Sequence, residues 1–546
     1  MKLTSRFTIL VLLATVCFAT TVTRVTSAHD DASIRASETP TPSPKVNPAP
    51  KPTSIPVATP SPTPATVQTV ADLQSTIRQR LFSPEVRRGR IGIKIASLNS
   101  GKILFENDAD KYFMPASNMK NFTVATAIER LTPDFRFVTS VRAAALPDAD
   151  GTLKGDLVVI GGGDISISTA FSNSDYYKGI DDLAEKIGNA GVKKIEGDIV
   201  GDESYFKGFR IPDTWEWDDL QSYYGAEISA LPLNDNAVDI SVMPGSRGNQ
   251  CIARISPMNQ IMRIVNRCVT GQSGTKRNLR VFKQIDQNVV EVSGTMPTGD
   301  NTYQASITIT RPAELFVAIL KERLQKRGIT VTGRSRTLAN GERAFPFTNG
   351  ASISIEVTKL ESPPLSLIAA KTMKPSQNMY TETILWTLGE EVGRKNGGSG
   401  NSSNLGLSVV KGFLKQIGVP DDGIVQWDGS GLSRHNLITP SAVVTLYTYM
   451  AKQSKYSQAW RDSLTIGGVD GTLRNRFKGT AAQGNMRGKT GTIDQVSALS
   501  GYVTTAGGEQ LVVSLVVNGV PTPGARVALI DEIVVKLANF NGKIDQ

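Results

Sequence analysis

Ser117 and Lys120 stand three residues apart, and their types make a nucleophile and a base. On a helix, positions i and i+3 share a face, so the amine reaches the hydroxyl. A lysine so placed can take the serine proton, provided it is neutral. An ordinary lysine is charged at neutral pH, and lowering it to about 7.5 needs roughly 4 kcal/mol of desolvation or charge repulsion. A second cation nearby would supply part of that. Taken alone, the pair also reads as an N-cap serine beside a solvated lysine. Ser376-Gln377-Asn378 follows Lys374-Pro375. Its serine can relay a proton between a lysine and a leaving group, and its Asn amide can hold a carbonyl. Lys489-Thr490-Gly491-Thr492 precedes an apolar run. Its lysine and threonines can bind a carboxylate, a strand edge can pair with an extended peptide, and Gly491 lets a substrate approach the backbone closely. A phosphate-binding loop is excluded here. That loop needs four residues between its glycines, whereas three separate Gly484 from Gly488.

Scarcity of other reactive types narrows the chemistry. The 546 residues include 2 histidines and 3 cysteines. His29 precedes a Pro-rich stretch, so only His435 remains for a core. Multi-histidine zinc sites are excluded, no metal site is expected, and a Ser-His-Asp triad would depend on His435 alone. His435 itself reads as a turn residue beside Leu437. The formal charge of +10 falls to +7 once Lys2, Arg6 and Arg24 are removed with an export signal. No basic cluster with interleaved aromatics occurs, so nucleic acid is not an expected partner. A polyanionic wall remains a compatible one.

The elements that position these residues begin after two non-globular segments. Lys2 and Arg6 precede the apolar run Phe7 to Thr20, and small residues end at Thr26-Ser27-Ala28. This order is that of a secretory signal, assigned to residues 1–28; an uncleaved anchor is the alternative. Residues 29–66 form a Pro-rich linker, with ten prolines between positions 40 and 64. Cys17 leaves with the signal. Cys251 and Cys268 then face an oxidising compartment, where a disulfide is the simplest reading and two buried free thiols the alternative. From Val67 to Leu81 the apolar spacing is helical. Ile91, Ile93 and Ile95 alternate as in a strand, and Lys102 to Phe105 returns as its hairpin partner. A helix runs from Ser117 to about Leu131. Val496–Val503 and Gln510–Val517 read as two more strands. Strands at both ends of the chain imply an α/β sandwich whose sheet is assembled from distant segments.

The three motifs in this order resemble those of the penicillin-recognising serine acyl-transferases. Further segments sharpen the likeness: Met114 to Lys120, Gly161-Gly162-Gly163-Asp164, Asp428 to Arg434, Gly468 to Leu473, Arg487 to Thr492 and Ser497 to Tyr502. As a set they resemble the DacB-type D-alanyl-D-alanine carboxypeptidase/endopeptidases, low-molecular-mass penicillin-binding proteins. The resemblance implies a transpeptidase-like catalytic domain from 68–139 and 356–546. It implies a second, inserted domain from 140–172 and 290–355, and a third nested within it from 173–289, both rich in β-structure. The cysteine loop would fall in the third, and Arg311 to Arg327 would be a helix in the second. The implied activity is hydrolysis of D-Ala-D-Ala, or of the D,D-cross-link, in peptidoglycan stem peptides. It would run through an acyl-enzyme, need no cofactor and be blocked by β-lactams. Ser117 would be the nucleophile and Lys120 its base. Ser376 and Lys489 would protonate the leaving amine, and Asn378, Thr490, Gly491 and Thr492 would bind substrate. Arg434 would meet a substrate carboxylate or serve as a structural arginine on its turn. Gln377 departs from the Asp common at that position. The placement implied is export to the periplasm or the cell-wall space, with no stable transmembrane segment in the mature chain. A β-lactamase or esterase on the same scaffold, and an inactive wall-binding protein, are the alternatives.

Overall fold

The computed structural model describes residues 67–338, 342–348, 351–352 and 354–544. All fall in the unit Pro60–Gln546. The expected signal and linker, with Cys17 and His29, lie outside the described residues.

The first helix, Val70–Leu81, is closed at its start by a capping box between Thr69 and Asp72. It buries Leu73, Ile77 and Leu81, the apolar stripe read from the sequence. The main sheet is antiparallel throughout and has six strands. Their order is Ile103–Asn107, Arg90–Ser97, Gln510–Asn518, Val496–Thr504, Arg487–Ile493 and Thr465–Ile466. The N-terminal strand thus lies beside the last strand of the chain, with Ile95 opposite Val513. Both faces of this sheet are covered. Alternation sends Leu499, Val503, Leu511, Val513, Leu515 and Val517 to a core shared with helices Val70–Leu81 and Pro523–Asn539. The intervening Ala498, Tyr502, Val512 and Val516 join a second core with helices Lys120–Arg130, Leu365–Met373, Asn378–Leu388 and Pro440–Lys452. Burial on both faces explains why these strands read as continuous apolar runs.

Between Arg130 and Leu365 the chain builds separate β-structure. Strand Val138–Ala143 pairs with Ile355–Glu361, so the outgoing and returning segments are neighbours. They belong to a five-stranded mixed sheet with Leu157–Ile160, Ile199–Asp202 and Ser335–Thr337. Further three-stranded sheets hold Tyr303–Thr308, Ala237–Met243 and Ile252–Ser256, and Arg263–Gly271, Val289–Pro297 and Asn278–Lys283. A third core gathers side chains from Val141 to Val331, including helix Pro312–Lys326, within the span read as helical. A disulfide joins Cys251 to Cys268 inside that core, with Cα atoms 5.3 Å apart.

Candidate active site

Ser117 lies in a tight 3₁₀ turn, Ala116–Met119, that runs directly into helix Lys120–Arg130. Two close packings fix the turn. A Cβ on Gly431 would sit 1.9 Å from the Ala116 carbonyl oxygen, and Gly431 has φ of +84°, so only glycine fits there. On the other side, a Cβ on Gly491 would sit 2.4 Å from the Pro115 carbonyl oxygen. The sequence reading left that space to a substrate; the chain's own Ser117 turn occupies it. Asn118 completes the join by donating from Nδ2 to the Lys489 carbonyl at 2.9 Å.

Behind the half-buried Ser117, Lys120 is fully buried, with 0% exposure. Its Nζ lies 3.0 Å from Ser117 Oγ and donates to Asn378 Oδ1 at 2.6 Å and to the Ser430 carbonyl at 2.7 Å. Burial pushes this amine down from 10.5 to about 7, against the pull of Asp428 and Glu382. The sequence reading looked to a neighbouring cation for part of that effect. Desolvation is the leading cause instead, and the nearby charges of Asp428 and Glu382 oppose it.

A second serine–lysine pair faces the same centre. Lys489, also 0% exposed, donates from Nζ to Ser376 Oγ at 2.8 Å and to the Thr490 carbonyl at 2.8 Å. Burial, then the charge of Lys120, holds Lys489 well below the usual lysine range. Ser376 adopts φ of +69°, a conformation rare for a side chain larger than glycine. Two half-buried hydroxyls are thus each backed by a desolvated amine. Such a pair can pass a proton inward at one hydroxyl and outward at the other.

Asn378, expected at the substrate, is engaged at both ends of its amide. Its Oδ1 accepts from Lys120 and its Nδ2 donates to the Tyr224 carbonyl at 2.9 Å. Thr490 Oγ1 and Thr472 Oγ1 are hydrogen-bonded at 2.8 Å, while Thr492 is exposed on its strand. Arg434, offered above to a substrate carboxylate, is paired with Glu216 at 2.8 Å. His435 is exposed, its ring packed edge-on to Trp427.

Several contributors were given no chemical role by the sequence. Glu382 is fully buried and accepts from the Gly429 and Ser430 amides at 3.0 and 2.7 Å. It therefore aims the Ser430 carbonyl that Lys120 binds. Burial and the neighbouring Asp428 push its carboxyl up to about 8. Asp428 organises the same loop, accepting from the amides of Gly431 and Ser433, from Asn436 Nδ2 and from Trp215 Nε1. Across the site, Lys374 is paired with Asp470, and the Thr472 amide donates to the Lys374 carbonyl at 3.0 Å. The Gly468–Leu473 segment thereby braces the loop that carries Ser376.

The chain is similar over most of its length to known proteins. A D-alanyl-D-alanine carboxypeptidase of an Actinomadura species is 33% identical over 485 residues, covering 87% of this chain and 86% of the relative. The crystal structure of penicillin-binding protein 4 (DacB) from Haemophilus influenzae has the same fold, with a TM-score of 0.72 at 23% identity over 87% of this chain and all of that one. The same Haemophilus protein complexed with a β-lactam gives 0.67 at 22% identity, over 84% of this chain and 99% of that one. The fold is therefore the α/β architecture of the penicillin-recognising serine acyl-transferases. Residues 73–539 match a single family over most of the chain: the protein belongs to the D-Ala-D-Ala carboxypeptidase 3 (S13) family.

Proposed function

We propose that this chain is a serine D,D-peptidase acting on peptidoglycan stem peptides, as a carboxypeptidase on D-Ala-D-Ala, an endopeptidase on D,D-cross-links, or both. The observation that carries this reading is the pair of lysine-backed serines, Ser117 with Lys120 and Ser376 with Lys489. Neutral Lys120 takes the Ser117 proton as Oγ attacks the carbonyl of the penultimate D-Ala. The tetrahedral oxyanion is held by the backbone N–H groups of Ser117 and Thr492. As the carbon–nitrogen bond breaks, the proton taken up by Lys120 passes to the departing amine with Ser376 as the relay, and Lys489 holds the Ser376 hydroxyl in place by a hydrogen bond. Thr490 and Thr492 bind the terminal carboxylate on the edge of the Lys489 strand. Asn378, held by Lys120, positions that amine and helps orient the stem peptide. Water then attacks the acyl-Ser117 ester, neutral Lys120 taking its proton and handing it to Ser117 Oγ as the ester carbon–oxygen bond breaks and the shortened peptide leaves. A β-lactam enters the same first step and leaves a slowly hydrolysed ester. No step calls on a cofactor.

In this reading the catalytic domain comprises 68–139 and 356–546. A second domain, 140–172 and 290–355, is inserted into it, and a third, 173–289, into the second. The adjacent outgoing and returning strands support an insertion into the catalytic domain, and the two inserted segments share one hydrophobic core, from Val141 to Val331. Export to the periplasm or cell-wall space is proposed from residues 1–28, with the Pro-rich segment as a tether. Among the described residues no helix is long and apolar enough to cross a membrane.

Mass spectrometry of the Ser117 peptide after penicillin treatment tests the reading. An adduct on Ser117 that persists, together with release of D-alanine from a D-Ala-D-Ala peptide, is expected. Fast penicillin turnover would assign the scaffold to a β-lactamase instead. Absence of any adduct would favour an inactive binding protein.

A further inference from the structure

One short turn of the inserted segment reaches the loop that carries Ser376. Asn234, Asp235 and Asn236 are consecutive residues with φ of 45°, 62° and 53°. Left-handed backbone is tolerated by Asn and Asp but is uncommon, and a run of three persists only where surroundings hold it. Both asparagines supply that hold. Asn236 accepts from the Leu233 amide at 3.0 Å and donates to the Glu227 carbonyl at 2.8 Å. Asn234 accepts from the Thr169 amide and donates to the Tyr176 carbonyl, both at 2.8 Å.

The strained turn turns the Asp235 carboxylate toward the Ser376 loop. Its Oδ2 accepts from Gln377 Nε2 at 3.0 Å. Its Oδ1 accepts from the Tyr380 hydroxyl at 2.5 Å and from Ser168 Oγ at 3.1 Å. Gln377 in turn caps helix Asn378–Leu388, its Oε1 accepting from the Met379 amide at 3.1 Å. The neighbouring Asn378 is tied to the inserted segment as well, through the Tyr224 carbonyl. Ser376, at φ of +69°, is thus flanked by residues pinned from outside its own helix.

We propose that Asp235 is a positioning residue: through Gln377 it clamps the Ser376-Gln377-Asn378 loop in its strained conformation, so that the inserted segment sets the alignment of the catalytic serine and amide. This rests on the acyl-enzyme reading above. The identity of residue 377 follows from the same contact. A carboxylate there would face Asp235 across a 3 Å gap, whereas Gln supplies the amide donor that Asp235 needs.

The full-length protein with Asp235→Asn, Gln377→Glu and the double change provides the test. With Oδ1 kept toward the Tyr380 and Ser168 hydroxyls that donate to it, Asp235→Asn turns Nδ2 toward Gln377 Nε2, and Gln377→Glu sets two carboxylates against each other. The double variant restores one hydrogen bond with donor and acceptor exchanged, and it keeps the acceptor for the Met379 amide. The readouts are the rate of Ser117 acylation by a fluorescent penicillin, its pH profile, and the melting temperature. Each single change is expected to slow acylation about tenfold or more, since small misplacements of a reacting group cost that much. The double is expected to recover to within about threefold of the parent. The acid limb of the pH profile should stay in place, because Lys120 remains buried. Single variants that acylate at the parental rate, or a double variant showing the product of both losses, overturn the clamp. If Gln377→Glu does not fold, Asp235→Asn decides: a slowed plateau with an unmoved acid limb supports the clamp, and a parental rate overturns it. A parent protein that is never acylated at Ser117 would instead refute the acyl-enzyme reading, so the two failures are distinct.

Discussion

A neutral Lys120 at physiological pH is the demand that the mechanism makes on the fold, and pH tests it directly. In water a lysine titrates near 10.5; in the folded chain burial brings Lys120 to about 7. At pH 7 about half of the folded molecules then carry a neutral amine. An unperturbed lysine would be neutral in only about one molecule in three thousand, so burial is worth roughly a thousandfold in available base. The acylation rate of Ser117 by a fluorescent penicillin, followed by stopped flow, is expected to rise about tenfold per pH unit below 7. It should level off above about 7.5. Lys120→Arg, whose guanidinium stays charged, should lose the acylation step by at least that thousandfold. Stability gives a second readout of the same group. Between about 7 and 10.5 the unfolded chain binds a proton at this position that the folded chain does not. Stability contributed by Lys120 therefore increases as pH rises through that window, and below about 7 the folded state bears the full penalty, about 5 kcal/mol. Lys120→Met should flatten that slope. An acylation rate constant flat from pH 6 to 9, or an acid limb centred above 9, would refute the reasoning.

Gly431→Ala should abolish acylation and lower the melting temperature. The backbone conformation alone costs roughly 1–3 kcal/mol for a non-glycine residue, and the added methyl group meets the Ala116 carbonyl; thermal unfolding and penicillin labelling together read both effects. Ser376→Ala should leave Lys120 hydrogen-bonded to Ser117 yet slow peptide turnover by about a hundredfold or more, the usual worth of a positioned proton donor; a kcat within threefold of the parent would remove Ser376 from the proton path. Reduction of the disulfide, which closes a 17-residue separation, should lower stability by about 3 kcal/mol while the acylation rate at 25 °C stays near parental.

Local pattern revealed what local physics builds. The i, i+3 spacing of Ser117 and Lys120 is sufficient to bring amine to hydroxyl, and the apolar runs at 496–503 and 510–517 are sufficient to identify buried strands. What stayed hidden depends on partners brought together by tertiary folding. Glu382 lies in a helix whose every residue is buried, so no polar face marks it as the carboxyl that aims the Ser430 loop. Asp428 enters the sequence reading only as the first residue of a segment that carries the resemblance, although it gathers four donors around the Ser430 loop. Gly491 reads as a place for substrate to approach the backbone, whereas the backbone that a Cβ there would meet is Pro115. Gln377 reads only as a departure from Asp, because its partner, Asp235, lies in a different stretch of the chain.

The order of strands in the main sheet has a consequence for biogenesis. Gln510–Asn518, the last strand synthesised, is an interior strand that pairs on one side with Arg90–Ser97 and on the other with Val496–Thr504. Lys489 arrives two strands earlier, on Arg487–Ile493. A chain emerging from the ribosome or a translocation pore therefore carries Ser117 for most of its synthesis without the neighbours that make it reactive. Closing a sheet across such a sequence distance is slow, because loop entropy must be lost before the contacts form. Catalytic competence is consequently a property of the finished chain: a prematurely terminated product lacks the sheet's centre and cannot hydrolyse the wall under construction.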